Sequence, residues 1–437
     1  MARLQTALER KIPEWRREIH RLNAEHGDQR VDEVSLKQAY GGMRGVRCMV
    51  CDTSEVPPDR GLLIRGRSIA ELVDRTPEEV FFLLCTGEMP DRDALEALRG
   101  ELVRRAEVPG YVWKVLEAMP RSSHPMCMLD TAILVMENES KFRTAYTDGL
   151  DKERWWVPTM EDALDLIARV PAIAAGIYRM RFGKGPRLVA SPDADWSRGY
   201  ARLLGIEDPD GEFAECVRLY LVLHCDHEGG NVSAHACHLV ASALSDVYYA
   251  VSAGLNGLSG PLHGLANQEC LAWILQVHER FGGAPSEKQL RDFAWETLRS
   301  GRVIPGYGHA VLRITDPRFT ALREFGMQRF PDDPVMQTVD RVFRVVPEVL
   351  REHGKAKNPW PNVDAASGAL LYHYGLREQS YYTVLFSLSR VLGMCAQMIV
   401  NRAVGAPIER PKSVTTEWMA AKVALRSPKA EVGTSCP

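Results

Sequence analysis

The chain has 437 residues, of which 45% are hydrophobic and 25% charged, and its net charge is −3. That length exceeds what one simple core organises, so two globular domains are expected. The near-balanced charge argues against nucleic acid and against a membrane surface as partners, because both are met by a basic excess or a basic amphipathic tract.

Residues 1–27 read as an amphipathic helix, with Leu4, Leu8, Ile12, Trp15, Ile19 and Leu22 on one face. Glu9, Glu14, Glu18 and Glu25 sit poorly with a mitochondrial leader, which is poor in acids, and no secretory pattern is present. The segment is therefore read as part of the folded protein, and a cytoplasmic, bacterial setting is expected. Cys48 and Cys51 make a CxxC without a second pair at zinc spacing. The ten cysteines read as reduced, mostly buried thiols. One short strand is expected at 61–65. Helices are expected at 69–86, at 91–106 with Asp91 as N-cap, and at 111–119, 129–139, 159–181 and 211–224.

The stretch 232–254 is rich in small residues, among them Ser233, Ala234, Ala236, Ala241 and Ser245. Such a face suits close helix packing, within the chain or between subunits. The window 381–400 is apolar enough to raise the question of membrane insertion. Arg390 at its middle, with Ser387, Ser389 and Gln397, argues for a buried core helix instead. The breakers along the chain are local, and no repeat of fixed period is present. The polar tail after Arg426 is expected to fray. The fold class is mostly α.

Five stretches carry chemistry. The segment 302–318 contains Pro305, Gly306 and Gly308 just before His309, with Arg313 and Arg318 behind. Proline and glycine shape a turn there, an imidazole can pass a proton near neutral pH, and guanidiniums can grip carboxylates or phosphates. A solvated surface loop fits the same residues. His224, His227, His235 and His238 lie within fifteen residues, interrupted by Gly229-Gly230-Asn231. They fit a metal site, or the wall of an anion pocket with Asn231 as a helix cap. Near Pro261 a helix is expected to begin, placing His263 in its first turn, where the helix dipole lowers an imidazole pKa. Asp364 follows a proline-rich entry and fits either an N-cap or a general base. Arg390 needs a partner inside its apolar helix, and Arg410 lies in a loop.

Taken together, these stretches resemble citrate synthase, of the dimeric type typified by the mitochondrial enzyme. The matching motifs are Tyr40-Gly-Gly-Met-Arg44-Gly, Asp226-His-Glu-Gly-Gly-Asn-Val-Ser-Ala-His235 and Gly260-Pro-Leu-His-Gly-Leu-Ala-Asn-Gln-Glu269. To these add Pro305-Gly-Tyr-Gly-His-Ala-Val-Leu-Arg313, Lys357-Asn-Pro-Trp-Pro-Asn-Val-Asp364 and Glu409-Arg-Pro-Lys-Ser413. They span residues 40–413 in the family's order.

The resemblance implies a multi-helical fold with a large domain (1–263 and 370–437) and a small domain (264–369) that closes over the site. It implies condensation of acetyl-CoA with oxaloacetate and hydrolysis to citrate and coenzyme A. The alternative is a 2-methylcitrate synthase that uses propionyl-CoA. His263, His309 and Asp364 are the implied catalytic residues. His227, Arg318, Arg390 and Arg410 are implied to hold oxaloacetate, with Arg410 reaching the neighbouring subunit of a homodimer. Arg44, Arg313, Lys355 and Lys357 are implied to meet coenzyme A; Arg143 matches more loosely. No metal or other cofactor is implied, since coenzyme A thioester is a substrate.

Overall fold

The computed structural model describes residues 2–189, 194–309 and 311–424. The expected fraying after Arg426 lies outside them. The fold is mostly α, and among the described residues strand is confined to one small antiparallel sheet. In it Leu63–Ile64 pairs with Ser54–Glu55 on one side and Arg67–Ser68 on the other. The expected strand at 61–65 is thus the middle of a three-stranded meander.

The core is built around the helix Tyr382–Val404. Its apolar stretch is 94% buried inside the protein, which answers the membrane question in favour of a core helix. Helices Pro77–Thr86, Trp156–Arg181, Glu212–His224, Val232–Ser242 and Val247–Leu258 pack around it. The small-residue stretch forms the last two of these, packed closely on each other. At Gly254 an added Cβ would stand 2.8 Å from the carbonyl oxygen of Ser233, so only glycine allows that approach. Five further helices, Ala266–Phe281, Glu287–Arg299, Pro317–Arg329, Pro334–His353 and Asp364–His373, pack mainly on one another.

Several boundaries differ from the sequence expectation, each for a local reason. The helix expected at 69–86 is two pieces, a 3-10 turn at Ile69–Leu72 and an α-helix at Pro77–Thr86. Thr76 precedes a proline, which disfavours helical backbone, and its hydroxyl caps a new start in a capping box with Glu79. The helix expected at 129–139 begins earlier, at Pro125, and ends in a 3-10 turn at Met136–Glu139. The N-terminal helix Ala2–His26 docks only its first half: Leu4, Leu8 and Ile12 are buried, whereas Ile19 and Leu22 are exposed. Asp91 caps Arg92–Arg105 as expected, accepting from the backbone of Ala94 at 2.7 Å.

Candidate active site

The loop 305–309 and the segment 358–364 are stitched together by backbone. Gly308 N donates to Trp360 O at 3.0 Å, and Asn362 N donates to Gly306 O at 2.9 Å. The Asn362 amide also donates to Gly308 O at 3.0 Å. Both glycines have left-handed backbone, φ 77° at Gly306 and 92° at Gly308. At Gly306 a Cβ would press within 3.0 Å of the Ala365 Cα, so the loop lies directly on the start of the Asp364–His373 helix. This places His309 and Asp364 on one unit.

His309 Nδ1 accepts from the backbone N–H groups of Val311 (3.0 Å) and Leu312 (2.9 Å). A nitrogen that accepts two donors carries no proton, so the neutral ring bears its hydrogen on Nε2. Burial, with the nearby Arg318 guanidinium second, holds His309 down to about 4, so neutral imidazole is the resting form. The His227 ring lies beside it, with centroids 5.6 Å apart. His227 is held well below the ordinary histidine range by burial and then by Arg318 and Arg390.

His263 corrects an expectation. The helix starts at Ala266, not near Pro261, and His263 sits in the turn ahead of it. The chain passes closely there: at Gly264 a Cβ would stand 2.0 Å from the carbonyl oxygen of Leu258, an approach that only glycine allows. The imidazole is instead fixed by the start of the Val232–Ser242 helix. Its Nε2 lies 3.0 Å from Ser233 Oγ and 3.4 Å from the Ser233 N–H, which points at it. With Nε2 accepting from the backbone, Nδ1 bears the proton and is the donor offered to a ligand. Burial, then Arg390, lowers His263 to about 4. The dipole argument is therefore replaced by burial and a neighbouring charge.

Asp364 is the first residue of its helix, with Val363 as the cap position and no side-chain cap bond. Asn362 Oδ1 takes the Asp364 N–H at 3.0 Å, which leaves the Asp364 carboxyl uncommitted to capping. Burial raises that carboxyl to about 6 against the pull of Arg318 and Arg390.

Two buried guanidiniums complete the cluster. Arg318 (4% exposed) is gripped by Asp316 (0%), Nη2 donating to Oδ2 at 2.7 Å. Arg390 lies over the Phe386 ring and donates from Nε to His224 O at 3.1 Å and from Nη1 to Asn231 Oδ1 at 3.2 Å. Asn231 is the expected cap of Val232–Ser242, accepting from Ala234 N at 3.1 Å. These bonds use two of the five donors an arginine has, so Arg390 keeps donors for a ligand.

Six of the implied residues thus gather in one largely buried cluster: His227, His263, His309, Arg318, Asp364 and Arg390. Arg410 is elsewhere, exposed on the segment after the core helix. Its neighbour Glu409 is tied to His235 Nε2 at 2.8 Å. Arg44, Arg313, Lys355 and Lys357 are all exposed; Arg313 Nη1 donates to the carbonyl of Leu312 at 2.7 Å. Arg143 pairs with Glu137 at 2.5 Å. The four histidines of 224–238 do not converge. His224 stacks on Tyr220, His227 faces His309, and His235 and His238 meet Glu409. Among the described residues no group of three potential ligands gathers for a metal. Sequence reasoning missed Asp316, Ser233 and Asn362: Ser233 meets His263 from thirty residues away, whereas Asp316 and Asn362 act two residues along the chain, where the Asp-x-Arg spacing at 316–318 was the available signal.

The family model described as "Citrate synthase, C-terminal domain" matches residues 42–412. The chain is 48% identical over 416 residues to a protein of Saccharomyces cerevisiae named "Citrate synthase, mitochondrial", covering 93% of this chain and 86% of that one. It is 47% identical over 426 residues to a protein of the same name from Daucus carota, covering 95% and 90%. The solved citrate synthase of Pyrobaculum aerophilum superposes with a TM-score of 0.77 at 26% identity, over 89% of this chain and 95% of that chain. These relatives overturn the expected cytoplasmic, bacterial setting, since both sequence relatives are named mitochondrial and come from a yeast and a plant. The expectation rested on the acids of the first helix. Acidic residues in the first described helix do not decide where the protein is sent.

Proposed function

The chain belongs to the citrate synthase family, and from that premise we propose how its cleft performs the reaction. The protein is an enzyme that joins the acetyl group of acetyl-CoA to oxaloacetate and hydrolyses the product to citrate and coenzyme A. The relatives' name favours this over the 2-methylcitrate alternative.

The observation that carries the mechanism is the uncommitted carboxyl of Asp364, on the same frame as a neutral His309 and beside the same Arg390 as a neutral His263, both tautomers being set by backbone. Asp364 takes a proton from the acetyl methyl group. A carboxyl poised near 6 is a better base than one at the ordinary value yet is still ionised at neutral pH. His263 donates from Nδ1 to the thioester oxygen as it gains negative charge. A neutral donor suits an enolate, because it stabilises the oxygen without adding a full charge to a buried site. His309 points its Nε2–H at the oxaloacetate carbonyl and protonates it as the carbon–carbon bond forms. His227, Arg318 and Arg390 hold the two carboxylates, and buried guanidiniums bind such groups strongly because water competes little.

Arg318 and Asp364 belong to the helices that pack on one another, and the loop of His309 is stitched to them, while His227, His263 and Arg390 belong to the larger body around the core helix. Closure of the 264–369 part over the rest then assembles the site and excludes water from the enolate. Coenzyme A meets Arg44, Arg313, Lys355 and Lys357, exposed cations suited to phosphates. No cofactor takes part, since acid and base are both side chains.

The enzyme acts as a homodimer. Val232, Leu239 and Tyr249 on the small-residue helices are 57%, 45% and 47% exposed, an apolar face suited to a second copy. The exposed Arg410 then completes the neighbour's site. The relatives' names favour a mitochondrial setting. The test is release of free thiol from oxaloacetate with acetyl-CoA and with propionyl-CoA. Turnover with acetyl-CoA and citrate as product is expected; preference for propionyl-CoA would transfer the chain to the alternative.

A further inference from the structure

Cys48 and Cys51 have no part in that chemistry, yet they are coupled to it. Both thiols are free; Cys48 is exposed and Cys51 half-buried. They border one cavity of about 500 Å³, together with Gly229, His238, Gln397 and Glu409. The segment that carries them has no regular secondary structure, so no helix or strand holds its backbone in place.

Cys51 leads inward. Its Sγ lies 3.3 Å from Thr53 Oγ1, and Thr53 donates its one hydroxyl hydrogen to Asp226 Oδ2 at 2.7 Å. The Cys51 S–H is therefore the donor to Thr53, and that bond exists only while the sulfur is a thiol. Asp226 is fully buried and is also held by Ser54 at 2.9 Å and Gln397 at 2.8 Å. Ser54 in turn accepts the Glu228 N–H at 2.7 Å. The backbone of Gly229 leaves room for the Cys51 Cβ, which stands 3.2 Å from where a glycine Cβ would be. Residues 226–229 thus rest on the Cys51–Ser54 segment, and His227 is in their midst.

We propose that Cys48 and Cys51 form a reversible thiol–disulfide site whose oxidation weakens oxaloacetate binding by disturbing the seat of His227. The oxidant is a peroxide. The Cys48 thiolate attacks one peroxide oxygen, the O–O bond breaks, and the other oxygen leaves as water. Cys51 then attacks the sulfur of the resulting sulfenic acid, the S–S bond forms, and its oxygen leaves as a second water. Two thiols lose two electrons and two protons, and one peroxide becomes two waters; a dithiol reverses the change. Exposed Cys48 is the reacting thiol, and Cys51, whose thiol is pushed up by burial and by Asp226, is the resolving one. Closing the four-residue ring draws Cys51 away from Thr53 and Gly229.

This inference rests on the proposed role of His227. The experiment treats the full-length enzyme with hydrogen peroxide and reads the 48–51 peptide by mass, alongside steady-state kinetics. A loss of two hydrogens across the peptide is expected, with a rise of roughly fivefold or more in KM for oxaloacetate, reversed by dithiothreitol. Cys48→Ser should match the reduced wild type and not respond to peroxide, whereas Cys127→Ser, which alters the other exposed thiol among the described residues, should respond fully. Absence of the disulfide, or an equal KM rise in Cys48→Ser, overturns the proposal. Failure of the substrate reading would instead show before oxidant is added, as a reduced enzyme that does not turn over oxaloacetate.

Discussion

Asp316 holds Arg318 from two residues away: Nε donates to Oδ1 at 3.0 Å and Nη2 to Oδ2 at 2.7 Å, and neither residue reaches bulk water. Removing one member of such a pair leaves a buried charge unbalanced, which typically costs about 3–5 kcal/mol. Asp316→Asn should therefore lower stability by that order in denaturant melts and raise the KM for oxaloacetate. A variant as stable as the wild type would show that another group balances Arg318.

Asp364→Asn should keep oxaloacetate binding, measured by calorimetry, and lose roughly 10²–10⁴-fold in kcat, the usual worth of a general base. Retention of more than half of the wild-type kcat would remove Asp364 from the mechanism. Stability gives a second reading. The folded carboxyl sits near 6 against an ordinary 3.8, so above about pH 6 its charge opposes folding. That opposition fades as pH falls from 6 and is gone below the unfolded value. The asparagine variant should be the more stable at pH 8, by up to about 3 kcal/mol less what solvent screening removes, with the difference gone by about pH 3.

The pH dependence of turnover should follow the same group. The proposed mechanism needs ionised Asp364, so the acid limb of kcat/KM, which reports the free enzyme, should rise with an apparent pKa near 6. His263 and His309, both near 4, remain neutral across this range and should not shape it. An acid limb centred near 4 would point to a different base.

The two imidazoles should fail differently. His309→Gln should reduce polarisation of the bound oxaloacetate carbonyl, seen by infrared or carbon NMR. His263→Gln should slow hydrogen–deuterium exchange on a coenzyme A thioester analogue, by about 10²–10³ if it supplies one oxyanion donor. Equal changes in both observables for both variants would undo the division of labour.

Arg410 can be tested by mixing subunits. Arg410→Ala and Asp364→Asn homodimers should each be nearly inactive. In a mixed dimer one site keeps Asp364 and receives an intact Arg410, while the other carries both defects. Random pairing makes half the dimers mixed, so activity should return to roughly a quarter of wild type. Mixed dimers that form yet stay inactive would place Arg410 within its own subunit's chemistry, or outside it.

What the sequence disclosed depended on the range of the forces involved. Arg390 announced itself because a guanidinium in an apolar helix demands a partner. The turn before His309 was legible in Pro305, Gly306 and Gly308, because backbone freedom is a local property. The start of the helix after His263 was not legible. Pro261 is a good first-turn residue, and the close passage of Gly264 by the Leu258 carbonyl shows only in the folded chain. Asp364 as cap or base was undecidable for the same reason, because Asn362 had to be seen taking the N–H that a cap would serve. The partners Ser233 and Asp226 meet the site through segments thirty or more residues away.

The stitching of loop 305–309 to segment 358–364 has a further consequence. Asp364, the proposed base, and His309, the proposed acid, are mounted on a single frame, whose fastenings are backbone amides and one asparagine. Whatever swing brings that frame toward Arg390 and His263, the spacing between Asp364 and His309 travels unchanged. Under the proposed closure there is one alignment to achieve instead of two, and an error in it would shift both proposed proton transfers together.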